Sequence, residues 1–294
     1  MAYLSECPVC GESEFFPYLT CSDHTVSHET FTLEQCRNCG FVLTNPQPDR
    51  DKLGRYYQSD SYISHSDKTS GIIDRLYKIS RHFTLKWKLQ LVNQHAAIKP
   101  QSILDYGCGT GMFLEYCKSK NLQIAGVEPS ELARSHAEKN TRQEIYADVK
   151  EIGNRFDAIT LWHVLEHIAD LHETIDALKA RLEQNGTMFI AVPNHKSLDA
   201  KKYQEHWAAY DVPRHLWHFS KDTMQKLMDK HQLKLIHVIP MRLDSYYVSL
   251  LSEKYVGNRG ALSNIARAVA QGWKSNYAAR QTSEYSSLIY LVRK

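Results

Sequence analysis

Residues 103–111 read Ile103-Leu104-Asp105-Tyr106-Gly107-Cys108-Gly109-Thr110-Gly111, and this run decides the fold. Ser102 to Tyr106 has the short apolar pattern of a buried strand. It runs directly into three alternating glycines. Glycine lets the backbone turn tightly and come close to a ligand. A helix is expected over 110–119, and its N-terminus would favour a negative group. The pattern is G-x-G-x-G; Met112 stands where the dinucleotide G-x-G-x-x-G fingerprint needs its last glycine.

The alternation continues outward. Strands are expected near 122–127, 143–146, 156–162 and 187–192, with helices at 130–140 and 170–183. This βαβα order implies a parallel sheet covered by helices on both faces. Ligands of such sheets lie beyond the carboxyl ends of the strands. The second strand ends in Gly126-Val127-Glu128-Pro129-Ser130. A carboxylate there can accept hydrogen bonds from both hydroxyls of a ribose and would repel a 2′-phosphate.

Taken together, LDYGCGTG and the acid at the second strand end resemble the class I S-adenosylmethionine-dependent methyltransferases over residues 101–294. The resemblance implies a Rossmann-like, doubly wound, mostly parallel seven-stranded sheet. Residues 233–239 and 286–292 would be an antiparallel pair at one edge. It further implies that Asp105, Gly107, Gly109 and Gly111 meet the methionine end of the cofactor. Glu128 and Pro129 would hold the ribose, and Asp148 and Val149 the adenine. Trp162 and His163, at the fourth strand end, would border the methyl donor.

His163-Val-Leu-Glu166-His167 also spells H-x-x-E-H, an inverted zinc-protease pattern. That motif needs a helix to aim both histidines at one ion. This segment leaves a strand instead, so the match is read as coincidence.

After the fifth strand comes an insertion near 194–220, rich in aromatics and histidines. Its place at a strand carboxyl end suits a substrate lid, with Tyr210, Arg214 and His218 as acceptor-binding candidates. Arg214-His215-Leu-Trp-His-Phe219-Ser220 resembles a Glu-His-x-x-x-Phe-Ser stretch of zinc-containing sugar C-methyltransferases. That resemblance implies His215 as general base, with His163 the next candidate. Arg214 replaces the family's Glu, which separates the chemistry from theirs. A second insertion is expected near 241–284.

The front of the chain differs in character. Cys7-Pro-Val-Cys10-Gly11 and Cys36-Arg-Asn-Cys39-Gly40 are two C-x-x-C-G knuckles. Four thiolates favour a tetrahedral, closed and therefore structural zinc site. About 40 residues cannot bury enough core to fold alone, so the metal must contribute. The expected organisation is a zinc ribbon over 1–45, a helical connector or lid over 46–98, and the methyltransferase domain over 99–294. Within the connector, Ile72, Ile73, Leu76, Ile79, Phe83 and Trp87 form one apolar helix face, and Tyr62 precedes it as a ligand-facing candidate.

Charge narrows the function. The chain of 294 residues carries a formal net charge of +3, but residues 1–40 hold six acids and one base. An acidic ribbon argues against nucleic acid and against an RNA methyltransferase. The intact glycine loop argues against a non-catalytic interaction module. No apolar run approaches the ~18 residues of a membrane span. Seven cysteines without an export signal point to a reducing compartment, so a cytoplasmic location is expected. The expectation is an enzyme that methylates an O, C or N atom of a small molecule.

Overall fold

A computed structural model describes residues 1–57, 72–257 and 260–294, without the side chains of 72–83. Tyr62 lies outside the described residues.

Three strands open the chain: β1 (Phe15–Ser22), β2 (Thr30–Cys36) and β3 (Val42–Thr44). A helix over Ile72–His95 leads to β4 (Ser102–Tyr106), β5 (Gln123–Val127), β6 (Phe156–Trp162) and β7 (Leu182–Pro193). Then come β8 (Trp217–His218), β9 (Lys234–Pro240) and β10 (Ser287–Arg293).

The large sheet has six strands in the order β5-β4-β6-β7-β10-β9. The first four run parallel. β10 pairs antiparallel with both β7 and β9, which gives the expected antiparallel edge. The seventh strand expected at 143–146 is reduced to one parallel bridge, Tyr146 to Val127. Its neighbours explain the loss. The preceding helix Glu131–Thr141 ends on Arg142 at φ 52°, and Asp148 already caps the next turn. Too few residues remain between them for a ladder.

Period-2 alternation builds the two layers. Leu104, Ile159, Leu161, Ile190 and Val192 face one way and pack with Ile175, Leu178, Leu227 and Met228. Ile103, Ala158, Phe189 and Ala191 face the other way, toward Leu89, Val92, Phe113 and Leu114. The connecting helix therefore lays Leu85, Leu89 and Val92 on the sheet. Trp87, expected on that buried face, is exposed, because it lies on the flank of the stripe that starts at Leu85.

The front strands do not form a closed sheet of their own. β1, β2 and β3 pair antiparallel, and β8 of the insertion pairs antiparallel with β3 as the fourth strand. Phe41 packs on Trp217 and Phe219, with ring centroids 6.1 and 5.7 Å away. The second insertion is a pair of packed helices, Asp244–Val256 and Ala261–Thr282. Among the described residues no helix is long and apolar enough to cross a membrane.

Candidate active site

The glycine turn follows β4. Gly107 has φ 73°, and a Cβ there would meet the Val164 side chain at 2.5 Å. Gly111 has φ 75°, and its Cβ would meet the Ala137 backbone at 2.9 Å. Both positions need glycine for conformation and for space. Gly111 then caps the helix Met112–Lys118.

Two carboxylates flank this turn. Asp105 is buried and accepts a 2.6 Å hydrogen bond from the Thr160 hydroxyl. Burial raises its pKa to about 6, against the Thr160 bond and the Lys88 charge. Glu128 accepts from the Gly109 and Ser130 amides, each at 2.9 Å. Gly109 also has positive φ, and Pro129 follows Glu128. Next along the strand ends, Asp148 caps the turn that holds the buried Val149. Acids thus line these strand ends, with two cations nearby: Lys88, 4.6 Å from the Trp162 ring centroid, and Arg134, which donates to the Glu128 carbonyl at 2.8 Å. Burial lowers the Lys88 pKa. The Trp162 indole Nε1 is buried without a partner among the described residues.

His163 leaves β6 with φ 58°. Its Nδ1 lies 3.3 Å from Glu166 and its Nε2 3.0 Å from Asp244. Carboxylates only accept, so both ring nitrogens carry protons. Burial opposes that charge, but the bonds to Asp244 and Glu166 outweigh it and raise the pKa to about 10.

His215 is buried, and its Nδ1 donates to the Ala209 carbonyl at 2.9 Å. The neutral ring therefore keeps its lone pair on Nε2. Asp211 Oδ2 lies 3.9 Å from that atom. The His167 ring stands edge-on to His215 with centroids 4.5 Å apart. His167 Nδ1 donates to the Arg214 carbonyl at 3.0 Å. Burial first, and then the charge that a protonated His215 would place beside it, lower its pKa to about 4. The sequence offered no sign of this pairing, since His167 and His215 meet only through the fold.

The acceptor candidates are placed differently. Tyr210, Arg214 and His218 are all buried. The Arg214 fork engages Asp211 at 2.6 Å, the Tyr56 carbonyl at 2.8 Å and Asp23 at 3.2 Å. It ties the front strands, the connector and the insertion together. His218 Nε2 lies 3.2 Å from Thr44 Oγ1, and burial drives its pKa well down. Tyr210 packs edge-on to Trp207 and His218.

At the front, Cys7, Cys10, Cys36 and Cys39 converge, with all four sulfurs within 4.8 Å of one another. Gly11 and Gly40 take φ 81° and 75°, and their amides donate to the Cys7 and Cys36 carbonyls. Two such turns facing each other suit one tetrahedral ion.

Known proteins place this arrangement. Residues 80–238 match the family model described as a methyltransferase domain. Over 128 residues the chain is 30% identical to the ubiquinone biosynthesis O-methyltransferase of Actinobacillus pleuropneumoniae, 38% of this chain and 55% of that protein. The Coxiella burnetii protein of the same name is 30% identical over 117 residues, 36% of this chain and 50% of its own length. The chain thus spans about half the length of the curated relatives it matches. In fold it resembles the magnesium protoporphyrin IX methyltransferase of Synechocystis PCC 6803, solved with bound SAH. That match has a TM-score of 0.51 at 12% identity, over 84% of this chain and 100% of the other. The plantazolicin methyltransferase BpumL, also solved with SAH, gives a TM-score of 0.50 at 17% identity, over 82% and 94%. With the match at 80–238 covering more than half of its length, the chain belongs to the methyltransferase domain family, of the class I S-adenosylmethionine-dependent type.

Proposed function

We propose that the chain transfers a methyl group from S-adenosylmethionine to a nucleophilic O, C or N atom of a small molecule. One observation carries the reading. The glycine turn lies between two carboxylates, Asp105 and Glu128, at the carboxyl ends of parallel strands. A phosphate would be repelled there. An amino-acid nucleoside with a cationic ammonium and sulfonium would be attracted, and its ribose hydroxyls match an acceptor such as Glu128.

S-adenosylmethionine supplies a methyl group that is already activated. The protein aligns the partners, excludes water and removes a proton. Asp105, the glycines 107, 109 and 111, Glu128, Pro129, Asp148, Val149 and Trp162 are assigned to the cofactor. His215 is assigned as base, because its Nε2 lone pair is free of any hydrogen-bond donor among the described residues. His163, held between two carboxylates, orients the strand end and has no lone pair to offer. Tyr210, Arg214 and His218 are assigned to the acceptor side, as buried supports rather than exposed contacts. Cys7, Cys10, Cys36 and Cys39 are assigned to a structural Zn²⁺.

The test has two stages. Calorimetry should show S-adenosylmethionine binding that Glu128→Ala weakens. A mass-spectrometric screen of small metabolites should then show a gain of one methyl group. Absence of cofactor binding by the folded wild-type protein would refute the reading.

A further inference from the structure

Glu166, His167 and His215 present three acceptor atoms to one point. Their ligand atoms lie within 4.8 Å of one another. Glu166 is buried, with 1% of its surface exposed, and its Oε2 has no partner. Its Oε1 faces His163. In both histidines Nδ1 donates to a backbone carbonyl, Arg214 for His167 and Ala209 for His215. Each neutral ring therefore turns its unprotonated Nε2 away from that bond. Among the described residues no donor meets either Nε2. Glu166 and His215 are buried and His167 is half-buried, and the unpartnered, buried Glu166 Oε2 leaves its desolvation uncompensated.

We infer that Glu166, His167 and His215 form a second metal site, which takes a divalent transition ion through one carboxylate oxygen and two imidazole nitrogens. The donor set fits the ion. Imidazole with carboxylate suits zinc, iron, cobalt or nickel, whereas magnesium and calcium prefer oxygen alone. Ligand atoms ~2.1 Å from a tetrahedral ion stand ~3.4 Å apart, so a closure of roughly an ångström brings all three into range. Carbonyl bonds at Nδ1 are the supports that metal-binding histidines use to fix tautomer and ring direction.

The backbone holds the site in register. The Leu216 amide donates to the Glu166 carbonyl at 2.8 Å, and the Thr44 hydroxyl donates to the His215 carbonyl at 2.7 Å. The first bond, with that from His167 Nδ1 to the Arg214 carbonyl, joins the two ligand-bearing segments, and the second ties His215 to β3. The H-x-x-E-H pattern is used only in part. Glu166 and His167 contribute, His163 turns to Asp244, and His215 takes the vacated role. Three protein ligands leave an open coordination position, unlike the closed four-cysteine site.

The inference goes beyond the proposed methyl transfer and shares His215 with it. A single lone pair binds an ion or a proton, so the ion withdraws His215 from acid–base duty.

The test uses the full chain with its four-cysteine site filled by zinc, and Co²⁺ as probe. One equivalent of Co²⁺ should bind, with visible d–d bands and no thiolate charge-transfer band. His167→Ala and Glu166→Gln should each weaken that binding by more than about 10-fold, since even second-shell partners cost ~10–100-fold. Circular dichroism confirms that each variant is folded, and Glu166→Gln conserves shape. If zinc-loaded wild type takes up no Co²⁺, or if both folded variants bind it as well as wild type, the site is refuted. Both readouts are independent of methyl transfer, so failure here and failure of the catalytic reading remain distinct.

Discussion

Arg214 Nη2 meets Asp23 Oδ1 at 3.2 Å, with both side chains buried, and this pair joins the front strands to the insertion beside His215. Asp23 also accepts from the Thr25 and Ser27 amides. Burial opposes its charge, but the Ser27 and Thr25 bonds and then Arg214 hold its pKa below the usual carboxylate range. Removing one partner of a buried pair strands the other. Arg214→Met is therefore expected to cost about 3–5 kcal/mol in urea unfolding. The pH dependence has a definite sign. The Asp23 contribution is complete above its unfolded pKa of ~3.9 and is lost as pH falls through the lower folded value.

Asp105 is the opposite case. Burial raises it to about 6 in the fold. Between ~3.9 and that value the unfolded chain holds fewer protons than the folded one, so stability falls as pH rises through this window. Asp105→Asn is expected to stabilise the ligand-free protein at pH 8 by about 1–3 kcal/mol. The same change should weaken S-adenosylmethionine binding. Thermal melts with calorimetry check both halves; a variant that melts lower than wild type would contradict the electrostatic account.

Glu128→Ala removes the acceptor assigned to the ribose. Hydrogen bonds to a charged group contribute about 1.5–3 kcal/mol, so affinity should fall at least about 10-fold. Gly109 and Ser130 also lose their amide acceptor, and a small drop in melting temperature should accompany the lost affinity.

His215→Ala should lower turnover by about 10²–10⁴-fold, the usual range for a general base, with cofactor affinity nearly unchanged. His163→Ala should behave differently. It unpairs Glu166 and Asp244 and is expected to lower stability as well as turnover. Steady-state kinetics beside unfolding curves separate the two histidines.

Zinc removal should reach further than the cysteines. β3 pairs with β8, and Phe41 lies in the same core as Trp217 and Phe219. A chelator is expected to unfold residues 1–45 and to loosen 215–219 with them. Hydrogen exchange at the Leu216 amide, bonded to Glu166, reports this directly.

Local pattern made the methyltransferase half readable. The glycines, the strand ends at Asp105 and Glu128, and the helix Lys221–Lys230 all depend on neighbours within a few residues. The strand at 143–146 failed because its length was set by the caps on either side, at Arg142 and Asp148. Contacts distant in sequence stayed hidden. His163 finds Asp244 across 81 positions, and Thr44 finds His218 across 174. A two-residue strand such as Trp217–His218 has no periodicity to detect. His163 and His167 look alike in sequence, yet one faces two carboxylates and the other two carbonyl-anchored rings' common point.

The fourth strand of the front sheet also sets an order of events. Val42 pairs with His218, so the front sheet stays one strand short until the ribosome has moved 176 residues past Val42. Modules made first usually fold first. Here the first-made module waits, with an unpaired strand edge exposed, for a segment that emerges only after the central strands β4 to β7. The cysteine turns can close early, but the sheet beside them is completed by β8, which follows directly on His215. Completion of the front sheet and placement of the segment that bears His215 therefore rest on the same pairing of β3 with β8.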